Sequence, residues 1–336
     1  MATASKASCV TSTATNPAVE QILAAIRDNQ RFLVVSHENP DGDAIASTLA
    51  LTNALREMGK EVVACNQHGV PNDYRFLPGW ASVVTRLPAD ARFDVGFVLD
   101  AGELKRAGNW IRPACRVLIN VDHHPHSEDF GDIYYVDERA SATGVLIYRL
   151  LQAAAWPVSL PVATCIYTTL LSDTGSFRYS NADPEAFHAA GEMVALGVDP
   201  WAIASGLYES QEECRLRLLG LVLPTLDVSP CGTFAAVTVT EEMIRVTGAR
   251  PEHTDRFINY PRSIRGVEVA IFFRQIGPDR FKVGFRSKGT IDVGALAREL
   301  GGGGHHNAAG AVVEGPITSV RDLVFTRVGA LLKACQ

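Results

Sequence analysis

Three short apolar runs and one longer segment in the first half of this chain each lead directly into a histidine or an aspartate. Arg31-Phe32-Leu33-Val34-Val35-Ser36 runs into His37-Glu38-Asn39-Pro40-Asp41-Gly42-Asp43, and Val95–Leu99 runs into Asp100-Ala101-Gly102. Arg116–Val121 runs into Asp122-His123-His124, and the mostly apolar stretch from Val162 to Leu171 leads into Ser172-Asp173-Thr174-Gly175. Short apolar runs without alternation read as strands covered on both faces. Helical patterns at Ala44–Met58 and Ser141–Ala155 lie among them, so a mostly parallel, Rossmann-like sheet with helices on both faces is predicted. Such sheets bind ligands outside the carboxyl ends of their strands. One polar strand end is ordinary surface chemistry, whereas four of this composition in order argue for a shared site.

A chain of 336 residues is long for one domain, and two is the natural expectation. The hydrophobic fraction of 47% against 20% charged supplies enough apolar surface for sizeable cores. No apolar stretch approaches the roughly 20 residues that span a bilayer, so no membrane partner is expected. Residues 1–16 are rich in Ser, Thr and Ala and read as a disordered tail rather than an export signal. The seven cysteines, at 9, 65, 115, 165, 214, 231 and 335, form no Cys-x-x-Cys pair. That spacing suits reduced thiols in a cytoplasm better than a disulfide framework or a zinc ribbon.

The charge is uneven. Residues 231–336 carry 14 Lys or Arg against 10 Asp or Glu, a balance of +4, and residues 1–230 carry 17 against 27, a balance of −10. Two readings fit: an acidic lobe for cations with a basic lobe for an anionic substrate, or two solvated surfaces. There is no long basic stripe of the kind that coats duplex DNA. Residues 184–225 look wholly helical, and strand patterns return at Phe234–Thr240, Val267–Arg274 and Phe281–Arg286, followed by a helical pattern over Ile317–Lys333. The predicted division is a tail over 1–16, a catalytic domain over 17–183, a helical connector over 184–228 and a smaller α/β domain over 229–336.

His37, Asp41 and Asp43 share one loop, where Gly42 is expected to permit a tight turn. Six candidate ligands, His37, Asp41, Asp43, Asp100, His123 and Asp173, exceed the needs of one ion with open positions. They suit two ions about 3.5–4 Å apart with a bridging carboxylate. Mixed imidazole and carboxylate donors favour Mn²⁺, with Mg²⁺, Co²⁺ or Fe²⁺ as substitutes. The helix starting near Ala44 aims its N-terminus at the same loop, a favourable place for phosphate oxygens. His68, His188 and His253 have no ligand-like neighbours in the sequence and read as surface or packing residues.

Taken in order, His37-x-x-Pro40-Asp41-Gly42-Asp43, Asp100, Asp122-His123-His124 and Ser172-Asp173-Thr174-Gly175 resemble the DHH phosphoesterase superfamily, motif by motif. Phe285-Arg286-Ser287-Lys288-Gly289, Asp292-Val293, Gly301-Gly302-Gly303-Gly304-His305 and Ala308-Ala309-Gly310 resemble its C-terminal DHH-associated domain. The pairing is similar to bacterial oligoribonuclease (nanoRNase) enzymes that also hydrolyse 3′-phosphoadenosine 5′-phosphate, and it covers roughly residues 20–335. The resemblance implies that His37 and Asp41 hold one Mn²⁺, that Asp43, His123 and Asp173 hold the other, and that Asp100 bridges them. Water activated by the two ions would attack phosphorus. His124 would face the phosphate, and Asp122 would orient a metal-ligating group rather than bind metal. Arg106 matches an Arg common after the Asp100 motif; the alternative is an exposed arginine. Ser127 stands where the family often has Asn.

For the second domain the resemblance implies nucleotide binding by Arg286, Ser287, Gly303, Gly304 and His305, the alternative for the glycine run being a flexible hinge. Arg286 offers a planar fork suited to phosphate. The implied activity is hydrolysis of short RNA to mononucleotides and of 3′-phosphoadenosine 5′-phosphate to AMP, in a cleft between the domains that opens and closes on the connector. A homodimer is suggested by the resemblance alone. A linear or cyclic dinucleotide phosphodiesterase could use the same site, and a catalytically silent nucleotide-binding regulator is the alternative of another class. Pyrophosphatases of the superfamily lack the Gly-rich His loop, and its single-strand DNA exonucleases are normally longer.

Overall fold

In the computed structural model, which describes residues 16–334, the chain divides between Ser210 and Gln211 into two compact units. The expected tail lies outside the described residues apart from Asn16, whose side chain caps the Pro17–Asp28 helix by accepting the Ala18 N–H.

The first unit is built on five strands: β1 (Arg31–Ser36), β2 (Glu61–Cys65), β3 (Phe93–Leu99), β4 (Cys115–Asp122) and β5 (Ile133–Val136). Their order is β2-β1-β3-β4-β5, and every pairing is parallel. The uninterrupted apolar composition of β1 follows from its central place. Phe32 and Val34 enter one core with Ile45 and Leu49 of the Gly42–Glu57 helix, while Leu33 and Val35 enter the opposite core with Ala107 and Ile111. The chain steps from β1 outward to β2 and then returns to β3 on the other side, which creates a switch point at the carboxyl ends of β1 and β3.

The longer apolar segment is not a strand. It forms the helix Leu160–Asp173, started by the Ser159 cap and Pro161, and packs with the Gly42–Glu57 and Thr143–Ala153 helices on one face of the sheet. Asp173 therefore arrives at the end of a helix. Gly42 also serves a different purpose from the one its sequence suggests. It opens the Gly42–Glu57 helix, and a Cβ there would lie 2.6 Å from the Ser172 Cβ. The absent side chain admits Ser172, and with it the last turn before Asp173, against the His37–Asp43 loop.

The second unit holds a six-stranded sheet of β6 (Asp227–Val228), β7 (Phe234–Val239), β8 (Val269–Gly277), β9 (Arg280–Ser287), β10 (Gly303–His305) and β11 (Ala308–Glu314) in the order β10-β11-β9-β8-β7-β6. Only β7 and β8 pair in parallel. The Val293–Glu299 and Ile317–Ala334 helices bury Val293, Leu296, Val320 and Val324 on one side, and Leu218 and Val222 of the Glu213–Val222 helix meet Val237 and Phe257 on the other. The segment predicted as wholly helical is three helices, of which Pro184–Ala195 and Pro200–Tyr208 belong to the first unit and Glu213–Val222 to the second. No helix among the described residues is long and apolar enough to cross a membrane.

Candidate metal-dependent active site

The carboxyl ends of β1, β3 and β4 and the end of the Leu160–Asp173 helix bring all six predicted ligands together. They fall into two groups. His37, Asp41 and Asp100 form one, and Asp43, His123 and Asp173 form the other, with the donor atoms of each group within 4.8 Å of one another. His37 Nε2 lies 3.9 Å from Asp41 Oδ1 and 3.7 Å from Asp100 Oδ2. His123 Nε2 lies 3.5 Å from Asp43 Oδ2, 3.6 Å from Asp100 Oδ1 and 3.7 Å from Asp173 Oδ2. The two oxygens of Asp100 thus face different histidines.

Each imidazole is oriented by its other nitrogen. His37 Nδ1 pairs with the Glu38 carbonyl at 2.7 Å, and His123 Nδ1 with the Ala140 carbonyl at 3.0 Å. With a proton held on Nδ1 by the carbonyl, Nε2 is the nitrogen that would ligate a metal after giving up its own proton, the arrangement that metal-binding histidines adopt. Asp43 and Asp100 are each 1% exposed, too deeply buried to carry charge without compensation. Burial and the neighbouring carboxylates, Asp100 first for Asp43 and Asp41 first for Asp100, push both carboxyl groups up. Burial together with Asp100 and Asp41 lifts Asp173 to about 6, against the pull of His123. His123 moves the opposite way: burial would lower it, but Asp43, Asp100 and Asp173 raise it to about 9. Buried like charges that disfavour one another are stabilised by cations, and hard oxygen with imidazole nitrogen is the donor set of Mn²⁺, Mg²⁺ and Co²⁺ rather than of a thiolate zinc site. The residues present fit divalent metal.

Backbone geometry is specialised at the same place. Asp100 has φ +55°, a left-handed conformation that costs a non-glycine residue about 1–3 kcal/mol and persists where the surroundings enforce it. Its N–H donates to the Val121 carbonyl at 3.1 Å. Asp122 belongs to neither of the two groups around His37 and His123. It is fully buried and accepts from the N–H groups of Gly102 (2.9 Å), His123 (2.8 Å) and His124 (3.2 Å), and from His124 Nδ1 at 2.8 Å. Burial opposes ionisation of Asp122, but the His124 hydrogen bond and charge hold it well below the usual carboxylate range, with Ser127 contributing a further hydrogen bond. The same contact raises His124 against the effect of burial. Ser127 therefore still supplies a donor in this corner.

Two comparisons settle the family. A family model described as the DHH family, N-terminal domain, matches residues 31–170, and the DHHA1 domain matches residues 235–332. The bifunctional oligoribonuclease and PAP phosphatase NrnA of Thermus thermophilus is 32% identical over 300 residues, covering 88% of each chain. The chain belongs to the DHH family. It is a metal-dependent phosphoesterase of that family. The NrnA of Bacillus subtilis is 28% identical, covering 87% of this chain and 92% of the relative. An exopolyphosphatase-related protein from Bacteroides fragilis has the same fold, with a TM-score of 0.85 at 28% identity over 94% of this chain and 96% of that one.

The DHH-site residues that sequence reasoning missed are those that hold the ligands. Asp43 Oδ2 accepts the Thr143 N–H at 2.6 Å, and Asp43 Oδ1 accepts the Gly144 N–H at 3.2 Å and the Ser47 hydroxyl at 3.0 Å. The Thr143 hydroxyl donates to Asp100 Oδ1 at 3.1 Å, and Asn181 Nδ2 reaches Asp173 Oδ2 at 3.3 Å. Ser141-Ala142-Thr143-Gly144 at a helix start was the available signal, because unsatisfied N–H groups there attract carboxylates. Arg106 is half-buried, and its carbonyl accepts the Glu38 N–H at 2.7 Å, which ties its backbone to the His37 loop.

In the DHHA1 domain the separated motif pieces converge. Arg286 at the end of β9 pairs in register with Ala308 of β11, and the Val293 N–H donates to the His306 carbonyl at 2.8 Å. The glycine run, expected as an open loop, is partly strand. A Cβ at Gly304 would lie 2.5 Å from the Ala309 Cα, so its lack of a side chain lets β10 pair with β11, whereas a Cβ at Gly303 would meet open space. Ser287, expected beside Arg286 at a ligand, is buried instead. Its hydroxyl donates to the Ile291 carbonyl at 2.6 Å and accepts from Asn307 Nδ2 at 2.9 Å, which closes the turn after β9. The His305 side chain lies outside the described residues.

Proposed function

We propose that this chain hydrolyses short oligoribonucleotides to mononucleotides and 3′-phosphoadenosine 5′-phosphate to AMP, using two Mn²⁺ ions. The observation that carries the metal reading is Asp100, whose two buried oxygens face His37 on one side and His123 on the other. His37, Asp41 and Asp100 would hold one ion, and Asp43, His123, Asp173 and Asp100 the other. When bound, the ions supply Lewis acidity toward a phosphoryl oxygen and activate water at neutral pH. The chain's own residues do the rest. Asp43 is fixed by the start of the Thr143–Ala153 helix, and Asp122 orients His124 through Nδ1 and favours its charged form, so that His124 can stabilise negative charge developing on phosphate.

The substrate reading rests on the two relatives named as oligoribonuclease and PAP phosphatase, matched over most of their length. Arg286 and the Gly303–Gly304 backbone are assigned to nucleotide binding. The five described cysteines are free thiols, which supports a cytoplasmic setting. A panel with Mn²⁺, comparing 5′-phosphorylated dinucleotides, longer RNA, 3′-phosphoadenosine 5′-phosphate, cyclic dinucleotides and pyrophosphate, tests the proposal. The expected result is turnover of the dinucleotides and of 3′-phosphoadenosine 5′-phosphate, abolished on both by Asp100→Ala. Turnover confined to cyclic dinucleotides or pyrophosphate, or surviving in Asp100→Ala, would overturn it.

A further inference from the structure

A second cluster of metal-binding side chains lies in the second unit and takes no part in the reading above. Glu212 immediately precedes the Glu213–Val222 helix, Cys214 is the second residue of that helix, and His253 sits in the short 3-10 helix Pro251–Thr254. His253 has no ligand-like neighbour in sequence, yet its Nδ1 lies 3.4 Å from Cys214 Sγ. Cys214 Sγ lies 3.8 Å from Glu212 Oε2, and the three residues each offer a donor atom within 4.8 Å of the others. Zinc bonds of about 2.3 Å to sulfur and about 2.0–2.2 Å to nitrogen or oxygen place tetrahedral donors about 3.5 Å apart. The Sγ–Nδ1 and Sγ–Oε2 separations are already close to that spacing without an ion.

The histidine is set up for ligation. It is 7% exposed, and its carbonyl is gripped by Arg215 Nη1 at 2.6 Å. Nδ1 accepts the Arg250 N–H at 3.1 Å, so this nitrogen carries no proton, and Nε2–H faces Glu212 Oε1 at 3.3 Å. The one lone pair of Nδ1, which lies beside Cys214 Sγ, is held by the Arg250 N–H until a metal displaces it, and the ring is oriented through its opposite nitrogen by a carboxylate.

We propose that Glu212, Cys214 and His253 form a second metal site, selective for a borderline-soft dication of the zinc type, with its fourth position open to water. One thiolate and one carboxylate with a neutral imidazole give a doubly negative donor set that matches a dication, and the sulfur separates this site from the nitrogen and oxygen donors around Asp100. Arg250 Nη2, 3.1 Å from Glu212 Oε1, neutralises the cluster when no ion is bound. Its Nε keeps a separate partner in Glu252 at 2.7 Å. An ion on the Oε2 side displaces the thiol proton and the Arg250 N–H from Nδ1, and leaves Oε1 to Arg250. Bound metal would clamp the start of the Glu213–Val222 helix to the 251–254 turn.

Cobalt titration of the full chain tests the site directly, because a sulfur-to-cobalt charge-transfer band in the near ultraviolet requires a Co–S bond that the Asp100 site cannot supply. The band should saturate once the Asp100 site and the cysteine site are both filled, bleach on addition of Zn²⁺, persist in Asp100→Ala and in Cys231→Ser, and vanish in Cys214→Ser. Arg250→Ala should raise the apparent cobalt affinity by removing the competing cation. Absence of the band in the wild-type chain overturns the proposal whatever the variants do, and so does a band of unchanged intensity in Cys214→Ser.

Discussion

Replacing Thr143 by valine isolates what the protein contributes to metal binding from outside the ligand set. Thr143 is fully buried, its N–H donates to Asp43, and its hydroxyl donates to Asp100 Oδ1 at 3.1 Å. Valine keeps the backbone donor and the branched shape, and removes only the hydroxyl. A hydrogen bond to a charged group contributes about 1.5–3 kcal/mol, which at about 1.4 kcal/mol per decade is roughly a 10- to 100-fold effect. Asp100 is 1% exposed, so solvent does not replace the lost donor, and the full effect should fall on the carboxylate that faces both histidines. The expected outcome is a rise of about 10- to 100-fold in the metal concentration giving half-maximal activity, the range found for residues that orient metal ligands. The rate at saturating metal should change much less, and Thr143→Ser should restore the wild-type midpoint. Metal-activation curves and calorimetric titration of the metal-free chain supply the measurement. An unchanged midpoint together with a lower Tm in chelator would refute the reasoning and assign Thr143 to packing alone.

Arg286→Ala should raise KM for nucleotide substrates with little change in kcat; loss of kcat at constant KM would contradict the binding role. The Tm gain produced by saturating divalent metal should be smallest near pH 4 and grow through about pH 6. Asp173 is raised from 3.8 to about 6 by burial and by Asp100 and Asp41, so in the metal-free chain it contributes stability at low pH that is lost as pH rises through the folded value, and metal reverses that loss. A pH-independent gain in differential scanning fluorimetry would count against carboxylate ligation. Cys231 is exposed, and hydrogen bonds from Ser229 and then Thr233 lower its thiol to about 7, whereas burial raises Cys65 to about 11 and Cys115 to about 12. Among the described cysteines, Cys231 should alkylate fastest with iodoacetamide, at a rate that falls below about pH 7 and levels off above it; peptide mass spectrometry at several pH values would reveal any other order.

How much was legible depends on where the information resides. The three strand ends were readable because a strand buried on both faces must be continuously apolar, and Phe32–Val35 divides its side chains between two cores as that composition requires. The ligands were readable because His and Asp types carry the chemistry themselves. What held them was not. Asp43 is fixed by N–H groups 100 and 101 residues away, and a backbone N–H has no residue type to betray it. Gly42 shows the same limit from the other side: an Asp-Gly-Asp run reads locally as a turn, yet the glycine is required by Ser172, which arrives from a helix that the sequence pattern left open as another apolar run. Ser287 and Cys214 complete the argument in opposite directions. A serine beside Arg286 reads as a ligand and is consumed by Ile291 and Asn307, while a solitary cysteine reads as an ordinary reduced thiol and meets His253 across 39 residues. Residue type announces what a side chain can do, and long-range packing decides whether it is available to do it.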